Sequence, residues 1–518
     1  MKDLREQRGA GVLLVASTMV SAALWIGSRN LGLALMPMLA LAVSWCVLRC
    51  SIRWPVAGLF FVALLVENPQ ARPMEEEWRS PLFAAGNLLY TNLNTLTGVE
   101  LLRFSLFELL LLVLVSLLFI RRVGGIGRDG VAPVSMGGRW LVRLLGLALL
   151  TVLFLELRGL LRGGDLRQSL WQLRQLLWLP ALGWLALHAF HRRGDEWLVG
   201  GILILAGIGR ALAGFAYYAI SRAGGHTPAY ITTHADSMLW LMGVIICLAA
   251  LVEKPAIRTW ALSAAYLPLA GLALLLNDRR LAFVCLGAAV IVLLVVARRE
   301  VWLRVRKLVL FASPALLLYL AVGWNVQHRV FSPVQTLKSV LDESDTSNHS
   351  RDVENFNLIF TALERPLFGS GFGHPYSEHI YTYRIDHVFE QYSYMPHNSL
   401  LWLFSIGGIL GFLGLWAFLP FVVWLCARAY RCAGSLSQRV AALGGIAVVV
   451  AYVLTAWGDM GVHSWMVTLI LAAYVGLVGN LERYTGAWRL EGGSHQPKAA
   501  DGATILPRMP VATGGSAC

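Results

Sequence analysis

Charge is what this sequence has least of. Only 14% of its 518 residues are Asp, Glu, Lys or Arg, against 57% hydrophobic, and the mean hydropathy is +0.62. So few charges cannot cover the surface of so much apolar material, which excludes a water-soluble domain of ordinary composition. Cysteine is sparse too. Of the seven, Cys46, Cys50, Cys247, Cys285, Cys426 and Cys432 fall in apolar runs or at their basic ends, Cys518 ends the sequence, and the longest polar segment has none. No structural disulfide is expected. No soluble domain interrupts the apolar runs and no internal repeat is visible, which argues against carriers built from duplicated halves.

What is present is a succession of apolar runs. Crossing roughly 30 Å of hydrocarbon takes about 20 residues of helix, and the backbone must satisfy its own hydrogen bonds there. The expected fold is therefore all-α, a polytopic integral membrane protein with about fourteen transmembrane helices. The runs read as 11–27, 31–48, 54–67, 105–120, 140–157, 172–190 and 197–220. They continue as 237–252, 260–276, 281–297, 308–324, 398–425, 440–457 and 464–480. The first follows a basic start but lacks a small-residue cleavage site, so it is read as a membrane helix and not a secretory signal. Residues 1–484 form the membrane domain on this reading, and 485–518, which turns to Gly, Ala, Pro and polar residues, a disordered cytoplasmic tail.

The net charge of +13 is distributed in a way that argues for a membrane and against nucleic acid. Arg49 and Arg53, then Arg121, Arg122 and Arg128, then Arg192 and Arg193 lie between runs, as do Arg298, Arg299, Arg304, Arg306 and Lys307, and finally Arg428, Arg431 and Arg439. Counting alternate loops puts these clusters on one side, which the positive-inside rule assigns to the cytoplasm, with both termini there. Three segments fall on the other side. The first, 68–104, carries Glu75, Glu76 and Glu77; the second, 158–174, holds Arg158, Arg162, Arg167 and Arg174 around Asp165, against the charge rule. The third, about 325–397, is the longest polar stretch; a loop of that length is functional or disordered, and its aromatic and His content argues for order.

That third segment ends in the most informative residues. Met395-Pro-His-Asn-Ser-Leu-Leu runs straight into an apolar helix, placing the His397 imidazole at the water-facing end of a span. Imidazole titrates near neutrality and suits a general base, although a His at a helix start is more often only a hydrogen-bonded interfacial residue. Asn398 has two readings, orienting the imidazole or capping the helix. Gly408 and Gly411 read as small residues at a helix contact. Leu276-Asn-Asp-Arg-Arg-Leu puts Arg279 and Arg280 between two apolar runs: snorkelling interfacial cations on the plain reading, bidentate phosphate ligands on the functional one. Arg210 lies inside an apolar run, where an ionised group needs a polar cavity or a partner. Arg351 opens an amphipathic helix that runs to Leu363 and ends in Glu364-Arg-Pro-Leu-Phe-Gly-Ser-Gly-Phe-Gly373. That glycine-rich turn either closes the loop or lets amides approach a phosphate. His374, His379 and His387, with Glu378, Asp386 and Glu390, match no tight metal-ligand spacing, and no metal site is expected.

Taken in order, these segments resemble the O-antigen ligase and polysaccharide polymerase superfamily. His397-Asn-Ser-Leu-Leu401 with Gly408 and Gly411 is similar to its His-Asn-x-x-Leu signature, and Arg351 followed by Pro366, Gly369 and Gly371 to the pattern of its large periplasmic loop. Asn277-Asp-Arg-Arg280 stands where the family has small residues before an arginine, so Arg280 takes the family position and Arg279 is an added cation. The resemblance spans roughly residues 270–420. It implies a class C glycosyltransferase-like membrane fold at the periplasmic face of a bacterial inner membrane, and a glycan on undecaprenyl diphosphate as donor. It implies His397 as base, Arg280 and Arg351 with Arg279 or Arg210 on the diphosphate, and inversion at the sugar without metal or cofactor. The acceptor is a second lipid-linked glycan for a polymerase, or a lipid A core or protein for a ligase; a chain-length regulator or export protein is a possible partner. A carrier or flippase for the same lipid-linked sugar is the alternative from another class, and would not need His397.

Overall fold

The computed structural model describes residues 2–28, 35, 37–39, 41–42, 51–68, 82–98, 103–124, 134–326, 328–340, 346–381 and 391–488. Most of the expected span 31–48, the Glu75–Glu77 run, Asp386, His387, Glu390 and the tail from 489 lie outside them. The described residues are helical apart from loops and one isolated bridge between Asn92 and Ser105. In chain order the helices are α1 (Lys2–Ser28), α2 (Arg53–Leu65), α3 (Phe83–Tyr90), α4 (Leu93–Thr97), α5 (Leu106–Gly124), α6 (Met136–Leu161), α7 (Leu166–Ala189) and α8 (Asp195–Ala223). They continue with α9 (Asp236–Glu253), α10 (Ile257–Asn277), α11 (Arg280–Val296), α12 (Arg299–Asn325), α13 (Ser332–Val340) and α14 (Thr346–Glu364). The last are α15 (Ser399–Trp416), α16 (Phe418–Cys432), α17 (Leu436–Gly458) and α18 (Trp465–Thr485).

Eight helical segments among the described residues are long and apolar enough to cross a membrane: α6, α8, α9, α10, α12, α15 with α16, α17 and α18. Three shorter apolar stretches, Leu14–Gly27, α2 and α11, accompany them. The helix α18 occupies the centre, with every residue from Trp465 to Glu482 buried, and packs along α7 and α17. The opposite extreme is α12, whose apolar side chains are almost all exposed, the composition of a lipid-facing helix.

The two ends of the bundle differ chemically. At one end Arg439 pairs with buried Glu253 at 2.7 Å and the Tyr430 hydroxyl donates to the same carboxylate. Arg304 caps the Glu253 carbonyl, Arg298 donates to the Tyr430 carbonyl, and Arg53 meets Asp195 at 2.6 Å. These are the last turns of α9 and α16 and the first of α2, α8, α12 and α17, so Arg53, Arg298, Arg304 and Arg439 share one end. At the other end lie the start of α9, the α10–α11 turn, the end of α17 and the starts of α15 and α18.

One expected span is not a continuous helix. Gly408 (φ 57°, ψ −168°) breaks α15, about 13 Å along its length at 1.5 Å per residue. The break frees backbone groups that lipid cannot satisfy, and the loop after α14 supplies the partners. Ile409 and Leu410 donate to the carbonyls of Pro366 and Leu367 at 2.8 and 3.1 Å, while Ser370 and Gly371 donate to those of Ser405 and Ile406 at 3.0 and 2.8 Å. Gly408 is therefore a kink residue and not the helix-contact residue expected from sequence: a Cβ there would sit 2.4 Å from the Leu367 carbonyl carbon. Gly411 does make a helix contact, a Cβ there meeting Leu155 at 3.4 Å. We expect Gly408→Ala to lower stability by ~2 kcal/mol or more, through a left-handed backbone and a main-chain clash, and Gly411→Ala by less than ~1. Thermal unfolding of the detergent-solubilised variants measures both; equal losses would contradict this account of the kink.

Candidate active site

The end opposite the basic clusters opens into a cavity of about 770 Å³, and four arginines line it: Arg210, Arg279, Arg280 and Arg351. They come from three separate parts of the chain, each positioned by a local device. The α10–α11 turn is tied down by Asn277, whose buried amide donates to Ser237 Oγ at 2.8 Å and to the Thr233 carbonyl at 3.2 Å. Asp278 then takes the left-handed conformation (φ 44°), which Asp tolerates better than most residues, and its carboxylate accepts from Ser332. Arg279 follows in extended conformation at the cap of α11, its guanidinium 5.1 Å from the centre of the Tyr230 ring, and Arg280 begins the helix. Burial pushes the Arg279 guanidinium down to about 10; Asp459 and Tyr230 oppose that shift and Arg351 adds to it, so it stays charged at neutral pH.

Arg210 is 1% exposed and paired with Asp236 at the start of α9. Its depth in an apolar helix is thus balanced by a carboxylate, although its Nε has no acceptor and the side chain still lines the cavity. Breaking a buried pair by removing one partner strands the other charge. Arg210→Met is expected to cost ~3–5 kcal/mol, and Arg210→Met combined with Asp236→Leu much less. Thermal melts of the single and double variants check this; a double variant as unstable as the single one would deny the pair its role.

Arg351 lies on α14, and one turn further on the same face is Glu354, which sequence reasoning passed over. Glu354 is buried, and its Oε1 accepts from the backbone N–H groups of His397 at 2.6 Å and Asn398 at 3.3 Å. Its Oε2 lies 3.1 Å from His397 Nδ1. With Nδ1 held by a carboxylate, Nε2 is the ring nitrogen that this contact leaves available for proton exchange. Asn398 caps α15, its Oδ1 accepting from Leu401 N at 3.0 Å, and its amide donates to Asn355. His397 does not itself line the cavity, but Met395 and Gln391 just before it do, as does Arg351 beside Glu354. Ser399, two residues after it, reaches the carbonyl of cavity-lining Asp459 at 3.5 Å.

In the glycine-rich turn the amides from Gly369 to Gly373 are all taken by partners within the protein. Besides the bonds from Ser370 and Gly371 to α15, Gly369 donates to Arg365, Phe372 to Leu155 and Gly373 to Gln172, so of the two readings of this turn the structure favours loop closure. The positive φ of Gly369 (61°) and Gly371 (87°) serves that closure, as Pro366 does through its carbonyl. Arg158 holds the loop through the Gly369 carbonyl at 3.0 and 3.1 Å, and Arg174 pairs with Glu108 at 2.7 Å, which accounts for two arginines that ran against the charge rule. Of the histidines weighed as metal ligands, His374 faces the Gly159 carbonyl and His379 faces Glu364; among the described residues no three His, Cys, Asp or Glu side chains are grouped to hold a metal. Sequence reasoning also missed Asp459 and His463, which sit in the turn between α17 and α18 and line the cavity. Their signal was an acid and an imidazole between two spans, at the same end as His397.

A second, almost wholly apolar groove of about 580 Å³ runs between α9, α10, α11 and α12. Leu274 and Phe283, which line it, flank the turn that carries Arg279 and Arg280.

Fold and site together define a polytopic helical membrane protein with a cationic cavity, and a carboxylate-held imidazole beside it, at one end of the bundle. Residues 265–416 match the family model for O-antigen ligase, a region that contains Arg279, Arg280, Arg351, Glu354, His397, Gly408 and Gly411. The match supports assignment to the O-antigen ligase and polysaccharide polymerase superfamily. No curated protein matches the sequence.

Proposed function

We propose that this protein is a glycosyltransferase of the bacterial inner membrane, working at the periplasmic face, that moves a glycan from undecaprenyl diphosphate to a hydroxyl of a second lipid-linked glycan. The observation that carries the reading is the convergence of Arg279, Arg280 and Arg351 on one cavity, beside an imidazole braced by Glu354. A positive-inside orientation puts the Arg298, Arg304 and Arg439 end in the cytoplasm and the cavity outside. The apolar groove next to the arginine turn suits a polyprenyl tail better than a soluble nucleotide donor.

In this mechanism the acceptor hydroxyl attacks the anomeric carbon from the face opposite the diphosphate. The new carbon–oxygen bond forms as the bond to the phosphate oxygen breaks, which inverts the sugar. His397 Nε2 takes the hydroxyl proton, and Glu354 stabilises the imidazolium that results. Charge accumulating on the leaving diphosphate is met by Arg280 and Arg351, with Arg279 adding a desolvated cation, so the reaction calls on no metal. Arg210, already paired with Asp236, contributes positive potential from the cavity wall. The description of the matched family favours a second reading, in which the acceptor is a lipid A core or a protein.

His397→Ala is expected to retain donor binding while losing roughly 10²-fold or more in turnover. Arg280→Ala should lose a comparable factor at normal protein level. Glycan product formed in membranes carrying each variant is the measurement; undiminished product with His397→Ala would end the catalytic reading. Deleting the gene separates the acceptors. Loss of long polymer, with single repeats left on the carrier, marks a polymerase, whereas long polymer stranded on the carrier marks a ligase.

A further inference from the structure

The polar atoms around the cavity divide by the elements that carry them. The α10–α11 turn and α14 bring guanidinium groups, whereas α7, the turn after α17 and the start of α18 bring Gln175, His463 and Ser464 set among aromatic rings, with the Asp459 carboxylate in the same turn. On that second wall Gln175, 8% exposed, has a buried Oε1 with no hydrogen-bond partner, and Ser464 has a buried hydroxyl in the same state. His463 faces the cavity, yet neither ring nitrogen reaches hydrogen-bond geometry, although the main chain of Gln172 approaches the ring. Burial pushes that imidazole down to about 3, which keeps it neutral. One nitrogen of a neutral imidazole donates and the other accepts. Trp171 and Trp465 line the cavity beside these residues, and Trp402 packs against the His463 ring at 4.7 Å from behind.

Buried polar atoms without partners are costly, and several on one wall of a cavity call for a ligand that supplies both donors and acceptors. A phosphate supplies only acceptors and an alkyl chain neither. Vicinal hydroxyls supply both, and a pyranose ring adds an apolar face for indole. We infer that Gln175, His463 and Ser464 form a sugar-recognition subsite that reads hydroxyls of the donor glycan, separate from the arginines that hold its diphosphate. The inference rests on the proposed lipid-linked donor, and it assigns specificity to a wall that the His397 chemistry does not use.

The test compares two probes on the full-length protein in nanodiscs: undecaprenyl diphosphate alone, and the undecaprenyl-diphosphate-linked glycan extracted from cells of the same organism lacking this gene. The wild-type protein is expected to bind the glycan-bearing carrier more tightly than the bare one. Gln175→Leu and Ser464→Ala should each cut that preference roughly five- to tenfold, the scale of one buried hydrogen bond, with bare-carrier affinity retained. His463→Gln, which keeps a donor and an acceptor, should lose less than His463→Leu. Equal binding of both probes by wild type, or an undiminished preference in Gln175→Leu and Ser464→Ala, would overturn the subsite. Failure of the bare carrier to bind, with the glycan preference intact and lost in the variants, would instead sink the diphosphate reading and keep this one.

Discussion

A helix broken inside a membrane must have its freed amides and carbonyls answered by protein. In this structure the answer comes from one loop. The kink at Gly408 exposes the carbonyls of Ser405 and Ile406 and the amides of Ile409 and Leu410, and the Pro366–Gly371 segment meets all four. The exchange is reciprocal, so neither partner can leave without stranding the other in an apolar surrounding. Arg158 adds a clamp on the Gly369 carbonyl and α6 accepts from Phe372. A polar loop is thereby fixed to the transmembrane bundle at main-chain precision.

That fixation sets the position of the chemistry. The anchored loop leaves α14 on one side and leads towards α15 on the other; α14 carries Glu354, and His397 stands just before the Asn398 cap of α15. Glu354 then makes three contacts across the gap, two to backbone and one to the imidazole. A buried carboxylate accepting from two amides at a helix start is in a favourable field, since the helix dipole presents partial positive charge there. The same carboxylate selects which ring nitrogen faces outward. The imidazole thus sits on scaffold that is rigid by hydrogen bonding, even though its sequence neighbours belong to the longest polar stretch in the chain.

Much of this was legible in the sequence because it follows from solvation. Helices, their alternation and the segregation of Arg298, Arg304 and Arg439 from His397 are dictated by a medium that accepts neither bare backbone nor lone charge, and each leaves a pattern in one dimension. The convergence of Arg279, Arg280 and Arg351 was readable only through resemblance, since nothing local says that residues about seventy apart meet. The kink was misread for a physical reason. Gly408 and Gly411 share a spacing, yet one takes a left-handed backbone and the other a helical contact, and the difference lies in whether Leu367 arrives beside it. Glu354 was passed over although it stands one turn from Arg351 on the same face, because an acid on an amphipathic helix looks like surface until the His397 turn is packed on it.

The arrangement also bears on how four arginines can share a small cavity without repelling one another apart. Arg210 is neutralised by Asp236, Arg279 is set against the Tyr230 ring with Asp459 nearby, and the Arg351 side chain is itself exposed to water. Only part of the positive charge is therefore left for a ligand. Burial of Arg279 costs solvation, a cost that a bound dianion relieves and a neutral sugar does not. The cationic wall accordingly favours a ligand that brings negative charge. Gln175, His463 and Ser464 on the other wall are uncharged and carry no such bias.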